Sequence, residues 1–278
     1  MLAFLQQVFC FLLSVLYLPV ALVFSVPRPA VGLPVKLSQF ELVWSDEFDG
    51  TELNRANWNG HNGDVGPRRG GYWDIGMCTV RDGALHIASA YLEEGPSGGP
   101  AGYYTAGIDT RLTYAQQYGY FEVRCQLPKG QGLWSAFWLL TDGMANEDGT
   151  GLDGAEIDIF ESPYYVKQDW WLRNAVSCAV HFDGYGDALQ SKHVGDYFVS
   201  KPYDSFHTYG LEWNEDGYTY YIDGRKAGCS TFGGAAQVPE FLILSVEHET
   251  GGWAGDVGAN TEPLTDFVVD YVRAYQYK

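Results

Sequence analysis

Basic residues are scarce in this chain: 17 Lys and Arg stand against 35 Asp and Glu, a formal charge of −18. A protein that grips nucleic acid or a polyanionic polymer needs a basic footprint, so neither partner is expected. Solubility outside a cell accounts for much of the acidic excess. Cysteine is sparse and unpatterned. Cys10 lies in an apolar stretch, while Cys78, Cys125, Cys178 and Cys229 are widely spaced and form no Cys-x-x-Cys. That sets aside zinc and thioredoxin-like chemistry and leaves disulfides and buried thiols both open. Past Phe40 there is no long helix-period stretch, no internal repeat and no low-complexity tract. Aromatics and turn formers are plentiful instead, with 9 Trp, 20 Tyr, 15 Phe and 34 Gly. This combination suits a β-sandwich with a sugar-binding surface.

Residues 1–27 form a hydrophobic signal- or anchor-like segment, 28–39 a linker and 40–278 the folded domain. From Leu2 to Val26 no residue is charged. As a helix these 25 residues would reach about 38 Å, enough to span a bilayer. A cleaved signal peptide is the rival, although neither a basic start nor a small-residue cleavage site is clear. Arg28 and Lys36 follow the run and weigh weakly against export. The expectation is an extracellular protein, or one tethered through residues 2–26 and facing outside. Pro27 to Pro34 reads as a stiff linker.

Short alternating runs separated by turns fill the rest. Phe121, Val123, Cys125 and Leu127 alternate with Glu122, Arg124 and Gln126. Tyr218 to Ile222 runs into Asp223-Gly224, a hairpin signal. Phe241 to Val246 is continuously apolar, as a strand covered on both faces would be. One antiparallel sandwich, bent so that its concave face forms a groove, fits best.

The run Glu156-Ile157-Asp158-Ile159-Phe160-Glu161 carries the chemistry. Strand alternation places Glu156 and Asp158 on one face but sends Glu161 to the other, beside two isoleucines. A lone buried carboxylate costs several kcal/mol. One extra residue bulged out near Ile159-Phe160 returns Glu161 to the face of the other two acids. Three like charges on one strand face repel and need a functional reason. Paired carboxylates flanking a bond are the equipment of glycoside hydrolysis.

Several segments, in order, resemble glycoside hydrolase family 16, the laminarinases, lichenases, agarases and relatives. These are Leu42-Val43-Trp44-Ser45-Asp46-Glu47-Phe48-Asp49-Gly50, Tyr118-Gly119-Tyr120-Phe121-Glu122-Val123-Arg124 and Leu133-Trp134-Ser135-Ala136-Phe137-Trp138. The acidic run and Val269-Asp270-Tyr271-Val272-Arg273 complete the pattern. The resemblance implies an all-β, concanavalin-like β-jelly-roll sandwich with a concave substrate groove. It also implies a retaining, endo-acting enzyme for a polysaccharide, with no cofactor for catalysis. By position, Glu156 resembles the nucleophile, Glu161 the general acid/base and Asp158 the residue that tunes the nucleophile, in the family's bulged form.

Trp134, Trp138 and Trp253 resemble cleft tryptophans, and His181 a cleft histidine. Asn59 and Arg68-Arg69 lie in an early loop that edges the groove. Glu47, Gly83 and Asp270 match a structural calcium site, whose oxygen ligands suit that ion. Gly151 to Ala155 stands where laminarinases usually carry a Trp, and Ser245 to Thr250 also departs from the usual pattern. These departures leave the linkage open. A neutral β-glucan of 1,3 or 1,3-1,4 type is the expected substrate of a monomer. An agarase-like galactanase and a non-catalytic, lectin-like domain are the alternatives.

Overall fold

A computed structural model describes residues 26–164, 172 and 174–278. The apolar segment expected at residues 2–26 lies outside the described residues, Val26 apart. Among the described residues no helix is long and apolar enough to cross a membrane.

Two antiparallel sheets stack into the expected jelly roll. The sheet that carries the groove runs in spatial order from β1 (Arg28–Pro29) through β16 (Gln190–Phe198), β15 (Ala175–Phe182) and β14 (Glu156–Pro163). It continues with β13 (Leu133–Leu140), β20 (Glu240–His248), β10 (Gly107–Asp109) and β3 (Asn59–Gly60), and β11 (Ala115–Gln116) pairs with the start of β20. The outer sheet runs β19 (Arg225–Ser230), β18 (Gly217–Ile222), β17 (His207–Asn214), β12 (Gly119–Gln126), β21 (Phe267–Tyr277), β7 (Ala84–Ile87) and β6 (Cys78–Arg81). Here β2 (Phe40–Asp46) pairs with β21. A small third sheet joins β4 (Val65–Arg68), β5 (Gly71–Asp74), β9 (Gly102–Thr105) and β8 (Ala90–Leu92).

Alternation decides which side chains fill the space between the sheets. Phe121, Val123 and Cys125 of β12 point inward and meet Ile157, Phe160, Leu242, Leu244 and Val272 in one core. β20 is buried along its whole length. Leu242 and Leu244 enter the main core, while Phe241 and Ile243 form a second apolar cluster with Ala136, Trp138 and Leu140. That second layer is the floor beneath the groove. The β18–β19 hairpin turns at Asp223 (φ 48°) and Gly224 (φ 68°), the pair of positive φ angles that a tight two-residue loop requires.

The stretch 28–39, read as a linker, lies along the edge of the sandwich. Arg28–Pro29 pairs in parallel with β16, Gly32 N donates to Lys226 O at 3.0 Å and Val35 N donates to Gly224 O at 2.9 Å. Cys78, Cys125, Cys178 and Cys229 are free thiols.

The turn entering β14 depends on Gly154, whose φ is +145°. A Cβ there would sit 2.1 Å from Thr141 Cγ2 and 2.9 Å from Met144 N. Gly154→Ala is therefore expected to cost on the order of 2–3 kcal/mol from overpacking and backbone strain. Urea unfolding measures it, and a change within experimental scatter would show that the turn relaxes freely.

Candidate active site

The bulge inferred from the sequence is present in β14. Phe137 of β13 pairs with Phe160 and Trp138 pairs with Asp158, so Ile159 is the extra residue. Against β15 the register likewise slips between Asp158, opposite Ala179, and Glu161, opposite Ser177. Ile157, Ile159 and Phe160 consequently all enter the core. Glu156, Asp158 and Glu161 share the other face and line one groove with a volume of about 1010 Å³. The start of the strand is fixed from below, where the fully buried Glu240 accepts the Ala155 N–H at 3.0 Å.

Position along the strand gives the three acids different surroundings. Asp158 is only 3 % exposed. Burial pushes its carboxyl well above the usual range, and the neighbouring Glu156 charge adds to that. His181, opposite Glu156 on β15, turns Nε2 toward Asp158 Oδ2 at 3.2 Å while Nδ1 meets Ser191 Oγ at 2.7 Å. Burial also raises Glu161 well above the carboxylate range, with Asp158 and Glu156 raising it further and His181 opposing them. Glu156 is raised by burial too, but a hydrogen bond from the Tyr185 hydroxyl to Oε2, then His181 and Arg68, pull it back. Both glutamates are raised, Glu161 the further, so of the two Glu161 is the better placed to hold a proton.

Two arginines stand beside the acids. Arg68 Nε donates to Glu247 Oε1 at 2.9 Å, Arg69 Nε pairs with Glu247 Oε2, and Arg69 Nη1 lies 3.6 Å from Glu249 Oε1. The Arg68 guanidinium lies 4.5 Å over the Trp73 ring and that of Arg69 lies 4.4 Å over Trp134. Two positive charges are thereby matched by two carboxylates within the groove wall.

Of the other residues expected here, Trp134 and Trp253 meet edge to face at 4.9 Å, and Trp253 is 39 % exposed. They form an aromatic corner of the groove. Trp138 lines the groove but is only 7 % exposed; its Nε1 donates to Ser245 Oγ at 3.1 Å and its ring packs into the second apolar cluster. It is a floor rather than a platform. Asn59 is not brought to the groove. Its amide nitrogen is buried on the short edge strand, and His61 and Asn62 line the wall at that point.

The calcium set does not fit. Both oxygens of Glu47 accept from Arg273, at 3.0 and 2.8 Å, and Asp270 accepts from Arg124 Nη1 at 2.5 Å. Gly83 occupies the β6–β7 turn at φ +73°. The two carboxylates are thus already matched by arginine, which removes the uncompensated charge a hard cation would satisfy.

Among the groove residues that escaped the reading of the sequence are Tyr185, Glu247, Arg111 and His61. His61 is buried against Asp109 Oδ2 at 2.8 Å and meets Trp138 edge to face. Arg111 reaches Asp142 at 3.1 Å. Each owes its place to a partner far away in the chain, so local pattern carries no signal for them. Tyr185 is partly an exception, since a Gly-Tyr-Gly following the strand after the acids marks an exposed aromatic on a turn.

Residues 40–277 match the family model described as "Beta-porphyranase A-D, GH16 domain". A β-glucanase of Rhodothermus marinus is 29 % identical over 266 residues, covering 87 % of this chain and 87 % of the relative. Glucan endo-1,3-β-glucosidase A1 of Niallia circulans is 27 % identical over 91 % of this chain, which spans only 42 % of that longer protein. Among solved structures, the catalytic domain of an endo-1,3-β-glucanase (laminarinase) from Thermotoga petrophila superimposes with a TM-score of 0.67 at 26 % identity. That match covers 86 % of this chain and 98 % of the other.

Proposed function

The chain belongs to glycoside hydrolase family 16, and on that premise we propose that it is an endo-acting, retaining hydrolase of a neutral β-glucan of 1,3 or 1,3-1,4 type. The observation that carries this reading is the Ile159 bulge, which brings Glu156, Asp158 and Glu161 to one groove wall. A lectin has no use for three clustered, mutually repelling carboxyls.

The reaction follows from their protonation. Glu161, protonated, gives its proton to the glycosidic oxygen as the bond to the anomeric carbon breaks. Glu156, ionised, attacks that carbon from the opposite side and forms a covalent glycosyl ester. Glu161, now a carboxylate, takes a proton from water. The resulting hydroxide oxygen displaces Glu156 and restores the original configuration. Asp158, held between them and facing His181, biases which acid carries the proton. The reaction needs no cofactor. A polymer too large to enter a cell suits an enzyme that acts outside it, whether free or tethered, and a monomer is part of this proposal.

Neutral rings suit this groove because its arginines are spoken for. Arg68 and Arg69 are balanced by Glu247 and Glu249 and Arg111 by Asp142, while the Trp134–Trp253 corner offers ring faces for stacking. A sulfated galactan is the second reading, favoured by the description of the matching family model and by the presence of three arginines, Arg68, Arg69 and Arg111, at the groove. Laminarin and barley-type mixed-linkage glucan should be cleaved at least about tenfold faster than porphyran or carrageenan, a preference of about 1.4 kcal/mol in transition-state binding. Reducing-end release from the purified protein measures this. Faster turnover of either sulfated polymer would overturn the neutral reading in favour of the second.

A further inference from the structure

The loop between β15 and β16 makes a tight reversal directly over the catalytic strand. Asp183 and Gly184 adopt successive left-handed conformations, at φ 65° and 71°. The base of the turn is pinned: the buried Asp183 accepts the Gly149 N–H at 3.0 Å, and Gly184 N donates to Met144 O at 2.7 Å. Tyr185 follows at once. Its side chain is 65 % exposed along the groove, yet its hydroxyl reaches back and donates to Glu156 Oε2. A Tyr held there for packing alone would be buried, and one used only for stacking would have no need of the nucleophile.

We propose that Tyr185 is a positioning residue for Glu156, fixing the outer carboxylate oxygen so that the inner one faces the anomeric carbon. The inference rests on the reading of Glu156 as nucleophile. A hydrogen bond to an ionised acceptor is stronger than one to its neutral form, so the Tyr185 hydroxyl also holds the carboxylate in its anionic state. Other groups facing Glu156 are His181 from β15, Arg68 from β4, Glu247 and the buried Glu240 from β20, and Asp158 and Glu161 from its own strand. The nitrogen donors among them are largely committed, Arg68 to Glu247 and the His181 ring to Asp158 and Ser191. Tyr185 is the neutral donor that offsets burial without adding charge to the groove. Once the glycosyl ester has formed, the same hydroxyl faces the ester's carbonyl oxygen. It is then in place as negative charge returns to Glu156 on hydrolysis.

Tyr185→Phe removes one oxygen from an exposed ring, and Glu156→Gln serves as its control. On a neutral β-glucan, Tyr185→Phe should lower kcat about tenfold or more, the scale of a lost hydrogen bond to a charged group. KM should move less than about twofold, and the acid limb of the pH–rate profile should rise by about one pH unit. With Glu156→Gln inactive, an unmoved acid limb, or a loss confined to KM, would overturn the role of Tyr185 and make it a sugar platform. An active Glu156→Gln would overturn the nucleophile reading itself, and this inference with it.

Discussion

Glu156→Gln is expected to abolish polymer cleavage, with a rate loss on the order of 10⁴-fold or more. The amide keeps the shape of the side chain but cannot attack as an anion or form the glycosyl ester. Glu156 lies on the groove face of β14, where it packs into neither apolar cluster and is held by Tyr185. Its replacement therefore leaves no cavity. It also removes one of the charges that raise Asp158 and Glu161. The variant should be folded, at least as heat-stable as the parent, and inactive. Asp158→Asn should impair activity less, because that side chain tunes its neighbours and forms no bond to the sugar. Reducing-end assays beside thermal melts separate these outcomes. Full activity in Glu156→Gln would remove the nucleophile from the scheme.

Glu161→Gln should lower polymer cleavage by about 10²- to 10⁴-fold, the usual contribution of a positioned general acid. The loss should depend on the leaving group. A dinitrophenyl glycoside departs without protonation, so formation of the glycosyl ester should be nearly spared and its hydrolysis slowed. An added small anion such as azide should then restore turnover. The pH dependence follows from the raised carboxyl of Glu161. The parent enzyme loses activity on the alkaline side as Glu161 gives up its proton, and on the acid side as Glu156 gains one. The two limbs belong to the coupled set rather than to either residue alone.

Stability has a matching sign. A carboxyl whose folded pKa is raised favours the folded state while protonated in both states, and that contribution is lost as pH climbs from the unfolded value through the folded one. Glu161→Gln does not titrate. Its melting temperature should exceed the parent's by about 2–4 °C near neutral pH, equivalent to about 1 kcal/mol for a domain of this size. The gap should close near pH 4. A gap that widened toward acid would contradict a raised Glu161.

The catalytic strand was legible because its register has a severe penalty for error. An unbulged strand would have buried Glu161 beside Ile157 and Ile159 and turned Phe160 out with the other two acids, so the acids themselves dictated the bulge now seen at Ile159. The Asp223-Gly224 turn and the continuously apolar β20 were readable for similar local reasons: positive φ at both turn residues and burial on both strand faces.

Depth and partnership were not readable. Alternation told which face Trp138 occupies but not that Ile243 and Phe241 would close around it. Motif position suggested calcium ligands in Glu47 and Asp270, yet each faces an arginine on a neighbouring strand, β21 for Glu47 and β12 for Asp270. The joining of Arg68 and Arg69 to Glu247 spans 179 residues in the case of Arg68. Contacts of that kind are set by topology, and no window of sequence contains both partners.

Retention at the anomeric centre is the central claim, because it requires Glu156 as nucleophile and Glu161 as acid and then base. Proton NMR of a neutral β-glucan digest, recorded before mutarotation, observes it directly. The β-anomer should appear first and the α-anomer only later. An α-anomer as the first product would mean direct displacement by water, and would contradict the glycosyl ester on Glu156.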